Sequence, residues 1–171
     1  MKKLLILGAG GFGKTIADLA QQLGCYEQIA FLDDGRSGAG ILGKCSEFSA
    51  IVDDMTEIYP AFGSNVIRMN WLQILKDAGV QVATLIHPRA YVSPTAAVSA
   101  GVAVLPLAIV NTGVSLCEGC IINCGAIVDH DCVVEKAAHL APGAIVKAEN
   151  RIPAGMKVES GTVVENREYP L

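Results

Sequence analysis

Two hydrophobic periods divide the chain. From Ile86 onward branched aliphatics recur at every sixth position without a slip: Ile86, Val92, Val98, Val104, Val110, Leu116, Ile122, Val128, Val134, Leu140, Val146, Ile152, Val158 and Val164. Four places after each, the residue is usually small: Ala90, Ala96, Ala108, Cys120, Ala126, Cys132, Ala138, Ala144 and Thr162. A fixed short period means stacked like units, none of which buries its apolar edge alone. Before Ile86 the pattern is α/β. An apolar run over 3–7 ends in glycines and suits a buried parallel strand. Ile16, Ala17, Leu19, Ala20 and Leu23 stand at helical spacing over 14–23, with Gly24 placed as a C-cap. The pattern then predicts a strand over 28–32, a glycine-rich loop over 34–43, short strands over 48–52 and 59–62, a helix over 66–78 and a last strand over 80–85.

A six-residue period is the signature of a left-handed parallel β-helix, whose coil is a triangle with one hexad per side. Three hexads per coil make the repeat a little under five coils. The predicted fold class is therefore α/β plus all-β, a small Rossmann-like domain over 1–85 followed by a left-handed β-helix over 86–171. Composition supports the division. Apolar residues make up 51% of the chain, yet only nine are aromatic, and none lies between Tyr91 and Tyr169. A narrow triangular prism has room inside for Val, Ile, Leu and Ala but not for Phe or Trp. Flat faces of this kind pack against one another, and a homotrimer is the expected assembly.

Charge removes other classes. The net charge is −4 and the isoelectric point is about 5.3, with no basic stripe of the kind that tracks phosphates along a nucleic acid. No apolar run approaches the ~20 residues that span a bilayer. The basic start at Lys2 and Lys3 is followed by an apolar run that stops at Gly8, short of a secretory signal core. A cytoplasmic location is expected. In a reducing compartment the six cysteines read as thiols, metal ligands or packing residues rather than disulfides.

Three groups could carry chemistry. Gly8-Ala9-Gly10-Gly11-Phe12-Gly13 has Gly-x-Gly-x-x-Gly spacing between a predicted strand and helix. Such a turn lets the backbone approach a phosphate at a helix N-terminus, and Asp33 and Asp34 stand where a carboxylate accepts from a ribose or base. About 85 residues is too short for a two-half dinucleotide fold, which argues against a nicotinamide-linked enzyme. The second group is Asp129-His130-Asp131 with His139 nine residues on. A carboxylate beside an imidazole fixes its tautomer and raises its basicity, as a general base requires; the alternative is a solvated corner with balanced charges. Nine residues is half a coil, so the two histidines lie on different sides of one prism, and a site that uses both needs a neighbouring subunit. His87, before Pro88, reads as a capping or packing residue. The third group is Cys117, Cys120, Cys124 and Cys132. Because Cys120 and Cys132 fall on the small inward positions, packing is favoured over metal binding.

Together, Gly8 to Lys14, Phe31-Leu-Asp-Asp34, Phe62-Gly-Ser-Asn65 with Arg68, and Val128 to Ala144 resemble the sialic acid O-acetyltransferase family of hexapeptide-repeat sugar acyltransferases. The likeness is nearest to its bacterial UDP-4-amino-sugar N-acetyltransferases and covers nearly the whole chain. It implies a homotrimer that moves an acetyl group from acetyl-CoA, without a metal, onto a nucleotide-linked sugar. By motif, His130 is the base and Asp131 orients it. Gly10, Gly11, Gly13, Asp33, Asp34, Gly63, Ser64 and Asn65 line the nucleotide-sugar pocket, and Asn123 adjoins the acceptor. His139, Gly143 and Ala148 belong to the acetyl-CoA cleft. Phe12 stands where several relatives carry His, and Lys147-Ala148-Glu149 replaces a glycine-containing step. Relatives continue for further coils beyond the position of Leu171. Two alternatives follow, a sugar O-acetyltransferase of the sialic acid type and a nucleotide-sugar-binding protein whose catalysis is impaired by a short β-helix.

Overall fold

The computed structural model describes residues 2–171. They form two compact units, one running through Ala83 and the other Thr84–Leu171.

In the first unit, β1 (Lys2–Leu7), β2 (Tyr26–Leu32) and β3 (Thr56–Pro60) make a parallel sheet in the order β2-β1-β3. The helix α1 (Gly11–Leu23) follows β1, and α2 (Asn65–Asp77) follows β3. Alternation along β1 sends successive side chains to opposite faces. Leu5 and Leu7 join Ala30, Leu32, Phe48, Ile58 and Leu75 in one core. The intervening Leu4 and Ile6 are also buried. Trp71 of α2 stacks on Phe62 and meets Phe48 edge-on, both with ring centroids 6.2 Å apart.

Four predictions for this unit are corrected. The strand expected over 48–52 is a 3-10 helix, Cys45–Ala50. Its buried residues, Cys45 and Phe48, are three apart and suit a three-residue turn rather than a strand. The strand expected over 59–62 is β3, which starts earlier; Thr56 and Glu57 are buried within it and hid its apolar pattern. The run over 80–85 is not one strand. Val82 makes an isolated bridge to Ile58, while Leu85 already pairs with Ala103 in the second unit. The helix expected over 14–23 begins earlier, at Gly11, so the glycine turn runs directly into its first turn.

The second unit is a left-handed parallel β-helix of two-residue strands on three faces. The first face stacks Leu85–Ile86, Ala103–Val104, Ile121–Ile122, His139–Leu140 and Lys157–Val158. The second stacks Tyr91–Val92, Ile109–Val110, Ile127–Val128, Ile145–Val146 and Val163–Val164, and the third Ala97–Val98, Ser115–Leu116, Val133–Val134 and Arg151–Ile152. Every ladder joins residues eighteen apart, as in Ile121 with His139. The second residue of each strand and the small residue four places on form a single core, in which Val104, Ala108, Val110, Cys120, Ile122, Ala126, Val128, Cys132 and Val134 are wholly buried. The pattern breaks at Asn150, an amide at a small-residue position with no exposure. Past Val164 the chain turns back, and Pro170 makes an antiparallel bridge to Asn150.

The corners explain the glycines. From Gly101 to Arg167, the residue three places after each inward aliphatic adopts positive φ, between 55° and 74°. Seven are glycine, and Leu107, Asp131, Ala137, Glu149 and Arg167 are not. Leu107, at φ 62° and 60% exposed, has the strain of this conformation with little burial in return. Leu107→Gly is therefore expected to stabilise the protein by about 1 kcal/mol, seen as a rise of about 2–4 °C in Tm by calorimetry. An unchanged or lower Tm would contradict this account.

Candidate functional site

Loops at the carboxyl ends of parallel strands, where successive connections diverge, form the binding crevice of open α/β sheets. In the order β2-β1-β3 that point lies between β1 and β3, and the two motifs predicted to bind nucleotide leave from it. The glycine turn and the Phe62–Asn65 loop are neighbours: a Cβ on Gly8, at φ 99°, would lie 3.2 Å from Ala61 O and 3.4 Å from the Phe62 ring. A Cβ on Gly13 would run into the Gly8 carbonyl, so glycine is required for α1 to start this close to the sheet. Gly10 caps α1 without a side chain, and no acidic residue occupies the first turn, so the helix supplies no side chain of its own to the amides of its positive end.

The Asp33 carboxylate is held by the backbone around it. Its Oδ2 accepts from Ala9 N at 2.7 Å, and its Oδ1 accepts from Gly35 N at 2.9 Å and Arg36 N at 2.8 Å. The carboxylate thus ties the glycine turn to the loop after β2, and the Ala9 bond above all holds its pKa below the ordinary value. Asp34 Oδ1 accepts from Cys45 N at 2.9 Å. Beside them is a cavity of about 380 Å³ lined by Ala9, Lys14, Phe31, Arg36, Ser37, Gly38, Ala39 and Ile41. Arg36 also lines an adjoining one with Asp33, Asp34, Lys44 and Glu47. Lys14 and Arg36 make the first of these suited to an anion; the sequence reading missed both, although each lies within or next to a quoted motif.

Gly63, Ser64 and Asn65 are held by α2. Ser64 is its N-cap and accepts from Ile67 N at 3.4 Å. The wholly buried Arg68 donates to Phe62 O at 2.9 Å and to Asn65 Oδ1 at 2.8 Å. A buried guanidinium of fixed fork geometry makes this loop rigid.

In the β-helix, His130 and Asp131 occupy the corner after the second face. His130 Nδ1 lies 2.8 Å from Asp131 Oδ2, and its side chain is half-exposed. A carboxylate can only accept, so Nδ1 carries the proton and Nε2 keeps its lone pair. This hydrogen bond, reinforced by the charges of Asp129, Asp131 and Glu149, raises the pKa of His130 above 6.5. Asp129 Oδ1 accepts from His130 N at 2.8 Å and from Asn111 Nδ2 at 3.1 Å, and fixes the backbone at this step. Glu149, one coil further on, donates its amide to His130 O at 3.2 Å and pairs with Arg167. Ala148, beside it, is buried.

Asn123 and His139 form a second cluster at the first face. Asn123 Oδ1 accepts from Cys124 N at 2.8 Å, which turns Nδ2 toward His139 Nε2 at 3.1 Å. Because Nδ2 donates, Nε2 of the buried His139 accepts. Gly143 makes the adjacent corner at φ 69° and donates to Cys124 O at 2.9 Å. The structure thus brings His130 with Asp131, and Asn123 with His139 and Gly143, but places the two groups at different faces of the prism.

His87 is buried, and its Nδ1 accepts from Arg89 N at 3.0 Å, so it caps a turn. Cys120 and Cys132 point into the core, where they donate to Val134 O and Lys147 O, each at 3.2 Å. Among the described residues no His, Cys, Asp and Glu side chains gather in a group of three suited to a metal ion, and no helix is long and apolar enough to cross a membrane.

Comparison with known proteins bears on both units. Residues 3–75 match the family model described as the PglD N-terminal domain. The acetyltransferase domain of PglB from Neisseria gonorrhoeae is 34% identical, with a TM-score of 0.95 over 98% of this chain and 84% of that one. Its complex with acetyl coenzyme A gives 35% identity and a TM-score of 0.94, over 97% and 83% of the two chains. A variant of perosamine N-acetyltransferase from Caulobacter crescentus, solved with CoA and GDP-perosamine, is 27% identical with a TM-score of 0.82, over 97% and 90%.

Proposed function

Since the chain belongs to the family of PglB- and PglD-type sugar acetyltransferases, we propose that it transfers an acetyl group from acetyl-CoA to the amine of a nucleotide-linked amino sugar, a UDP-4-amino sugar, with His130 as the general base. The His130–Asp131 pair carries this reading. In the tautomer fixed by Asp131, Nε2 takes a proton from the sugar amine as its nitrogen attacks the thioester carbonyl. The carbon–sulfur bond then breaks, and the thiolate leaves as CoA and takes up a proton. Such a reaction needs a base, alignment of the two substrates and donors for the oxyanion. The N. gonorrhoeae relative binds acetyl-CoA and the C. crescentus relative acts on a GDP-linked amino sugar, which supports the substrate class.

The first unit holds the nucleotide at the β1–β3 crevice, with Gly10, Gly11, Gly13, Asp34, Gly63, Ser64 and Asn65 around it and Asp33 bracing the glycine turn. Asn123 adjoins the acceptor, and His139, Gly143 and Ala148 serve acetyl-CoA. The site is completed in a homotrimer. Tyr91, Ile109, Ile127, Ile145 and Val163 occupy the outward positions of the second face as one apolar column, with Tyr91 and Val163 well exposed. A column of this kind suits burial against a second copy, and a neighbouring subunit would bring a His139 cluster to a His130 corner.

The test is release of free thiol from acetyl-CoA with UDP-4-amino sugars, GDP-linked 4-amino sugars and hydroxyl-only sugar nucleotides offered in turn. Turnover with the UDP-linked amine is expected, with N-acetylated product identified by mass spectrometry. Turnover confined to hydroxyl acceptors would replace the reading with O-acetylation, and nucleotide-sugar binding without any turnover would replace it with a binding role.

A further inference from the structure

We propose that Gly113 is a positioning residue for acetyl transfer: the bare corner it makes is the slot that holds the Asp131 carboxylate against His130 Nδ1. This rests on the reading of His130 as base.

A side chain from the next coil lies over this corner. A Cβ on Gly113 would fall onto Asp131 Oδ1 and lie 3.5 Å from Asp131 Cγ and 3.7 Å from its amide nitrogen. One carboxylate oxygen of Asp131 therefore rests over Gly113 while the other meets His130. The slot floor is pinned from below: Gly113 N donates to Thr95 Oγ1 at 3.2 Å, and Thr95 Oγ1 is 3.0 Å from Ser93 Oγ. Its lip is fixed by Asp131 N, which donates to Thr112 O at 3.0 Å. Asp131 itself holds φ 57°, a conformation that Asp tolerates better than most residues and that folds its side chain down onto the previous coil. The charged groups that face His130 are Asp129, Asp131 and Glu149, the last paired with Arg167. Of these, only Asp131 reaches the ring, so its placement decides the tautomer.

Gly161 supplies the control. It makes an equivalent corner at φ 69°, and a Cβ there would meet open space. Alanine at either position incurs similar backbone strain, but only Gly113→Ala collides with a carboxylate.

The experiment follows the imidazole titration of His130 by NMR in the full chain, together with steady-state acetyl transfer. In Gly113→Ala the His130 midpoint is expected to fall toward 6.5, and kcat to drop roughly 10–100-fold with KM for acetyl-CoA unchanged. Gly161→Ala should change neither. An unchanged His130 midpoint in folded Gly113→Ala would overturn the slot. A lowered midpoint with undiminished turnover would instead overturn the base reading, and with it the positioning role. Should Gly113→Ala not fold, the double variant Gly113→Ala/Asp131→Ala decides the matter. Recovery of the fold identifies Asp131 as the group displaced, and failure to recover counts against the slot.

Discussion

His130→Ala is expected to lower kcat/KM for acetyl transfer by roughly 10²–10⁴-fold, the usual contribution of a positioned general base, while acetyl-CoA binding by calorimetry changes little. The side chain is half-exposed at a corner, so its loss removes no core packing and the fold should be retained. The pH profile gives a finer check. A base acts in its neutral form, and the hydrogen bond from Nδ1 to Asp131 places the folded pKa above 6.5. Activity should thus rise with pH through a limb that lies above 6.5 in the wild type, and the limb should move down in Asp131→Asn, where the carboxylate charge is gone. A variant at His130 that retains most of its turnover, or a limb that does not move in Asp131→Asn, would remove this residue from the chemistry.

Asn150→Ala is expected to cost about 2–4 kcal/mol of stability, because it removes three hydrogen bonds at a wholly buried position and leaves the Tyr169 amide without its acceptor. Asn150 Nδ2 donates to Lys147 O and Glu165 O, both at 2.8 Å, and Oδ1 accepts from Tyr169 N at 2.8 Å. The position is one where an apolar residue, most often alanine or cysteine, otherwise points inward, so an alanine fits the prism and the loss isolates the hydrogen bonds. Denaturant unfolding measures the total. Hydrogen exchange locates it, with protection expected to fall first at Tyr169, whose carbonyl also accepts from Arg151 N at 2.7 Å. A loss below about 1 kcal/mol would mean that water or a local shift satisfies these groups.

These two residues mark what the sequence makes legible. His130 stands out because histidine is scarce and its neighbours are acidic, and the hexads announce the prism because the inward position repeats without error. Asn150 sits on the same hexad lattice as a polar exception, and its meaning lies in Tyr169, nineteen residues on and paired against the direction of the repeat. No period predicts such a return. Asp33 shows another limit. Its distance from the glycine turn matches a ligand-binding carboxylate, yet it closes on Ala9 N, and spacing alone does not distinguish a carboxylate that meets a ligand from one that braces the loop. Arg68 is hidden for a related reason: a fully buried guanidinium looks from sequence like any helix-surface cation. Gly113 was one of several glycines at the same hexad position, and only the side chain lying over it separates it from Gly161.

The constant eighteen-residue offset between paired strands has a kinetic consequence. Each new coil closes a loop of the same length as the last, so the entropic cost of growth does not mount as the prism lengthens, unlike that of a parallel sheet built from distant segments. Once one coil has formed on another, each further coil adds one layer of inward aliphatics to an existing template. Folding of this unit is then growth from a nucleus along one axis, and the slow step is the first pairing of two coils.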